Sequence, residues 1–143
     1  MRKSVFITSV IVGMFFIGCS AKGPKFQSFE KPKNPNNGML YVYRKAQLVG
    51  DALTYPVIAG KYYIGKMKIN GYSNKELPSG ITKISASTSI VDKGELFVNI
   101  PKNGIVCVKS RIGFGFLVGR PQFELVDMKK CEKEIKTTRK NLE

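Results

Sequence analysis

The chain contains no histidine. It therefore lacks the side chain whose charge changes most readily near neutral pH and the commonest nitrogen ligand for a transition metal, which excludes a histidine proton shuttle and a histidine metal site. Acidic residues are scarce too, 10 Asp and Glu against 24 Lys and Arg, for a formal net charge of +14. Asp51, Asp92 and Asp127 stand in turn or helix-cap contexts, the glutamates are scattered, and no serine sits in a nucleophile elbow. The stretch Gly113-Phe-Gly-Phe-Leu-Val-Gly119 is glycine-rich, but it lacks the Lys-Ser/Thr of a P-loop and the βαβ context of a dinucleotide fold. No catalytic residue, metal site or cofactor is expected on these grounds. Long apolar runs are missing as well: Val5 to Ile17, broken by Thr8, Ser9 and Gly13, is short of the roughly 20 residues of a spanning helix.

That run has a different meaning in context. Arg2 and Lys3 precede it and Gly18-Cys19-Ser20 follow it, which is the layout of a secretory signal. Phe16-Ile17-Gly18-Cys19 resembles the lipobox of bacterial lipoproteins, with Phe16 where an aliphatic residue is usual and Gly18 as the small residue before the cut. The resemblance implies a signal peptide over 1–18, cleavage between Gly18 and Cys19, and acyl chains on Cys19 that anchor the protein without spanning. Two or more chains hold far more durably than one, at about 0.8 kcal/mol per buried methylene. In that class Ser20 after the cysteine goes with the outer membrane. The other reading is an ordinary membrane-anchor helix with an incidental cysteine.

Loss of Arg2 and Lys3 would leave 24 − 2 = 22 basic residues against 10 acidic ones, a formal +12. Such an excess favours anionic partners, which at a bacterial envelope are lipid headgroups and glycans rather than nucleic acid. Lysine outnumbers arginine and is spread along the chain, so a generally solvated surface is the competing interpretation. With Cys19 lipidated, Cys107 and Cys131 remain as an even pair in an oxidising compartment, a candidate disulfide or else two buried thiols. A bond closing a loop of about two dozen residues would contribute roughly 3 to 3.5 kcal/mol.

Residues 19–37 carry Pro24, Pro32 and Pro35, several Lys and Asn, and only Phe26 and Phe29 as apolar anchors. This composition predicts a disordered tether. From residue 38 onward, short runs of Val, Ile, Tyr and Phe alternate with Gly, Pro and Asn. That rhythm predicts an all-β domain, a small antiparallel β-sandwich of about seven to eight strands over 38–143. Leu40 and Val42 face one way in the first strand, Tyr41 and Tyr43 the other. Gly60-Lys61 predicts a hairpin in which Pro56 marks an edge or late-starting strand, and Asn70-Gly71 a turn. Leu96 to Ile100 and Ile105 to Ile112 are expected to form a hairpin through Pro101-Lys-Asn-Gly104. Cys107 lies opposite Val106 and Val108, so something must cover its face. The cover is expected from a short C-terminal helix at about 127–140, capped by Asp127, with Met128, Cys131 and Ile135 in one stripe, Glu132 and Lys136 spaced as an ion pair, and fraying from Thr137.

Leu40-Tyr-Val-Tyr-Arg44, the Gly60 to Gly65 hairpin, Gly71-Tyr72, Pro78-Ser-Gly80, the turn ending at Gly104 and Gly113-Phe-Gly-Phe-Leu-Val-Gly-Arg-Pro-Gln-Phe-Glu-Leu-Val126 occur in that order. Together they resemble the domain-of-unknown-function family numbered 2846, over roughly residues 38 to 135. The resemblance implies a small β-sandwich on a bacterial lipoprotein with no established enzymatic activity. The Cys107 and Cys131 pair departs from it.

Phe114, Phe116, Arg120 and Arg44 form the candidate binding surface. The two aromatics are either exposed on a loop or plug the end of the sandwich, and the arginines either meet an acidic partner or pair with Glu124 or Asp127. The expected function is that of a non-catalytic envelope lipoprotein, lipid-anchored at the outer membrane, binding an envelope protein or an anionic lipid or glycan. The alternatives are a lipid- or glycan-modifying envelope enzyme and an exclusion or inhibitor lipoprotein that blocks a receptor.

Overall fold

Every residue of Met39–Arg44 is buried, although aliphatic and tyrosine side chains alternate from Leu40 to Tyr43. This strand, β1 (Asn37–Arg44), lies between two cores. Leu40 and Val42 enter one, Met39, Tyr41 and Tyr43 the other. The computed structural model describes residues 20–47, 53–88, 91–113 and 119–142. Residues 1–18, expected to be a signal peptide, and Cys19, Phe114 and Phe116 lie outside them.

The other elements are β2 (Tyr55–Ala59), β3 (Tyr62–Met67), β4 (Gly71–Pro78), β5 (Gly80–Thr88), β6 (Val91–Ile100), β7 (Ile105–Gly113), β8 (Arg120–Val126), the helix α1 (Met128–Ile135) and a two-residue β9 (Arg139–Lys140). They form two sheets, ordered β8-β7-β1-β4-β9 and β3-β2-β5-β6. The protein is thus a small all-β sandwich, with one short helix among the described residues. Pairing is antiparallel except for β1 with β7 and β4 with β9, which run parallel. The inner core lies between the sheets: Leu40, Val42, Leu77, Val108 and Ile112 pack against Tyr55, Val57, Ile64, Met67, Ile84, Val98 and Ile100. Pro56 stands where β2 has only β3 beside it, because pairing with β5 begins at Val57, so its missing N–H costs no ladder bond there.

The expected hairpin between β6 and β7 is not formed. β6 pairs with β5, while β7 pairs with β1 and β8, so the Pro101–Gly104 turn carries the chain from one sheet to the other. Both strands bury an apolar face, and stacking those faces across the sandwich removes more apolar surface from water than laying the strands side by side. On the open side of the sandwich the edge strands β6 and β8 meet. A side chain at Gly94 would overlap the backbone carbonyl of Pro121.

The outer core covers the second face of the five-stranded sheet. Tyr41, Tyr43, Tyr72, Cys107 and Val126 are roofed by Cys131 and Ile135 of α1 and by Phe26, with Phe29 alongside. Asp127 caps the helix, its Oδ1 accepting from the Lys130 amide at 2.8 Å, and Cys107 is bonded to Cys131. Met128, expected in the buried stripe, is 37% exposed.

Two expectations fail at the edges of this layer. Residues 20–36 are not a loose tether but a strap along the sheet: Ser20 bridges Ile69, Lys25 bridges Arg139, and the Glu30 amide donates to the Tyr41 hydroxyl at 2.7 Å. At the far end the Lys33 and Asn34 amides donate to the Glu76 carboxylate at 2.8 and 2.9 Å. The cause is the pair of phenylalanines, which meet each other at 4.9 Å between centroids and Tyr41 and Tyr72 at 5.0 to 6.1 Å, all edge to face. The tail does not fray at Thr137 either. Thr138 is fully buried, its hydroxyl donating to the Ile135 carbonyl, and β9 pairs with β4.

Candidate functional site

Tyr43 and Lys109 are opposite each other in the parallel β1–β7 register, both pointing to the outer face. The disulfide fixes α1 above them, and Glu134, three residues after Cys131, comes down between the two. The Tyr43 hydroxyl donates to Glu134 Oε2 at 2.6 Å, and Lys109 Nζ lies 2.9 Å from the same carboxylate. Burial alone would raise the Glu134 carboxyl, but the bonds from Tyr43 and Lys109 outweigh it and hold the group below the usual carboxylate range. Burial, reinforced by donation to Glu134, pushes the Tyr43 hydroxyl far above its ordinary value.

Around this node two adjoining clefts open to solvent. One, of about 300 Å³, is lined by Lys45, Lys109, Arg111, Glu124 and Glu134, among others. The second, of about 650 Å³, shares Lys45 and Glu134 and adds Asp127, Lys129, Lys130 and Lys133. Six cations thus face three carboxylates, and each carboxylate is already engaged: Glu134 by Lys109, Glu124 by Lys130 at 3.1 Å, and Asp127 by the helix cap. What remains toward solvent is positive, a setting for an anion. The chain after β1 is held at the mouth by Gln47, whose Oε1 accepts from the Ile112 amide at 2.8 Å, and by Asn70, whose Oδ1 accepts from the Ala46 amide at 3.0 Å.

Of the expected surface of Phe114, Phe116, Arg120 and Arg44, the structure describes the two arginines, and it takes Arg44 out of it. Arg44 is fully buried, with its guanidinium 5.4 Å from the Tyr55 ring centroid and Nη1 donating to the Leu53 carbonyl, so it serves the interior and offers nothing to a partner. Arg120 is exposed at the start of β8, opposite Gly113. Phe114 and Phe116 fall outside the described residues. Of the residues that do converge, Lys109 and Glu134 have one sequence signal: if Cys107 and Cys131 are bonded, two positions on along a strand and three along a helix face each other. Lys45 has none.

Among the described residues no group of His, Cys, Asp and Glu could hold a metal ion, and no helix is long and apolar enough to cross a membrane. The chain matches no family model, no curated protein and no solved structure.

Proposed function

We propose that this is an exported bacterial lipoprotein, held by lipid on Cys19, whose sandwich is a non-catalytic module that presents a basic cleft to an anionic component of the envelope. One observation carries the proposal: a basic start, an apolar run and Phe16-Ile17-Gly18-Cys19 follow one another in the layout of a lipoprotein signal, and Ser20, the next residue, is bridged to Ile69 of the sandwich. The same grounds support kinship with the small lipoproteins of family 2846, and an address at the outer membrane through Ser20. A lipid- or glycan-modifying activity is less well supported, because Tyr43 is held protonated and acts as a clamp on Glu134 rather than as a base.

Peptide mass spectrometry of the protein purified from bacterial membranes tests the anchor. The expected result is an acylated Cys19 at the mature N-terminus, and a chain that still starts at Met1 would sink the proposal. The partner class is tested by binding of the full protein to vesicles with and without anionic lipid or glycolipid. Equal binding to both, with no envelope protein recovered by crosslinking in cells, would count against the cleft as a binding site.

A further inference from the structure

Ser20, the first described residue of the strap, stands at one pole of the sandwich, and the residues after it are tied down closely. The Ala21 amide donates to the Ile69 carbonyl at 2.9 Å and the Gly23 amide to the Lys140 carbonyl at 3.0 Å, while the Lys140 amide donates back to Pro24 at 2.9 Å. Arg139 Nη1 donates to the Gly23 carbonyl at 3.2 Å, and a side chain at Gly23 would overlap the Lys140 backbone. Residues 21–26 thus extend the sheet edge beyond β9. Ala21 is buried, so the chain is already packed two residues after position 19.

Around that point the surface is basic and partly apolar. Lys22 and Lys140 are exposed beside the Gly23 bonds. Lys68 precedes Ile69, the partner of Ser20, and its Nζ donates to the Leu142 carbonyl at 3.1 Å. Leu142 itself is 51% exposed, and Lys45 stands next to the Ala46–Asn70 bond. Asp51 and Glu143 lie outside the described residues.

We infer that this pole, with Lys22, Lys45, Lys68, Lys140 and Leu142, is the face laid on the membrane, and that its occupant is an anionic phospholipid surface. The inference rests on the lipid anchor at Cys19. Consecutive Cα atoms are about 3.8 Å apart, so a lipidated Cys19 places the headgroup plane within a residue or two of Ser20, inside the Debye length of about 8 Å. There the lysines meet anionic headgroups with little screening, and Leu142 reaches the interface. The body is then docked with a fixed pole down, its opposite pole at Lys102 pointing away, instead of swinging on a spacer.

Amine footprinting of the full lipidated protein tests this. It is reconstituted in vesicles of phosphatidylcholine alone or of phosphatidylcholine with phosphatidylglycerol, acetylated with a membrane-impermeant reagent, and read by peptide mass spectrometry. In anionic vesicles Lys22 and Lys140 are expected to be acetylated about fivefold more slowly, in line with the attraction of one lysine to such a surface. Lys83 and Lys102 should not change. The same spectra report the N-terminal peptide. An acylated Cys19 with Lys22 and Lys140 equally reactive in both vesicles overturns the orientation and leaves the lipoprotein standing. An unacylated N-terminus overturns both.

Discussion

Glu134 is the residue on which helix, sheet and cleft meet, and its energetics set the protein's response to pH. Because its folded-state affinity for the proton is lowered, the stability it contributes is present above the ordinary carboxylate value of about 4.3 and is lost as pH falls below it. Tyr43 has the opposite sign: its affinity is raised, so its contribution is present below about pH 10 and lost above. Lys109 and Lys130 act on the carboxylate, and Glu124 and Asp127 on the phenol, in the same directions as these partners. Replacing Glu134 by Ala leaves a buried hydroxyl and a partly buried ammonium without their acceptor. The expected cost is about 1.5 to 3 kcal/mol in urea denaturation at pH 7, shrinking at pH 3, where the wild-type carboxyl is itself protonated. An equal cost at both pH values would mean that the carboxylate contributes nothing through its charge. This site was hardly legible beforehand. The helix lysines are visible as a face, but the lysine that meets Glu134 is Lys109 of β7, and Tyr43 joins the pair only through the parallel β1–β7 register, which no local pattern in either strand encodes. Arg44 was misplaced for a related reason. An arginine that ends a strand is usually exposed, and only the cover from Leu53 and Tyr55 takes it inside.

Among the elements, strands and helix were legible because each carries its own period and stop signals: the alternation in β1, glycine at Gly60 with φ 58°, Asn70 with φ 50°, and the aspartate cap of α1. What a turn does not state is whether the strands it joins will pair or stack. Asn103, with φ 49°, makes the same tight reversal in either case, and the β6–β7 hairpin was misassigned for that reason. The composition of the strap, dominated by proline, lysine and asparagine, hides its docking, which depends on two phenylalanines and on backbone bonds to a sheet edge that no local pattern announces. Phe26 is 6% exposed, so Phe26→Ala is expected to destabilise the protein by about 3 kcal/mol and to speed hydrogen exchange of the Gly23 and Phe26 amides. Wild-type amides that exchange at once would show that the strap is not docked. At the other end, the lowered Glu76 carboxyl owes its shift to the Lys33 and Asn34 amides, then to Asn37. Hence protection of Lys33 and Asn34 should fall as pH drops below about 4, and Glu76→Gln should abolish that pH dependence. The disulfide closes the same layer from the helix side. The Cys107→Ser, Cys131→Ser double variant is expected to lose about 3 kcal/mol, measured by equilibrium denaturation.

At the scale of the whole molecule two electrostatic effects oppose each other, and salt separates them. Ion pairs such as Lys83–Glu95, Lys130–Glu124 and Lys136–Glu132 hold the fold a little, each contributing under about 1 kcal/mol because both partners are largely exposed. Against them stands the excess of 24 basic over 10 acidic residues, whose mutual repulsion is strongest when the chain is compact. With so few carboxylates every local pair is outnumbered by lysines further off. Those longer distances are the ones screened first, since the Debye length falls from about 30 Å at 0.01 M salt to about 8 Å at 0.15 M. Screening should therefore remove more repulsion than attraction, and the melting temperature should rise as sodium chloride increases from 0.01 to 0.15 M. Anionic vesicles should act in the same direction at low salt by neutralising the basic pole, and should lose that effect as salt increases. Differential scanning calorimetry of the full protein in detergent decides between the two effects. A melting temperature that falls with salt would show that the pairs dominate, and the basic surface would then be a set of locally compensated charges with no net field to offer a membrane.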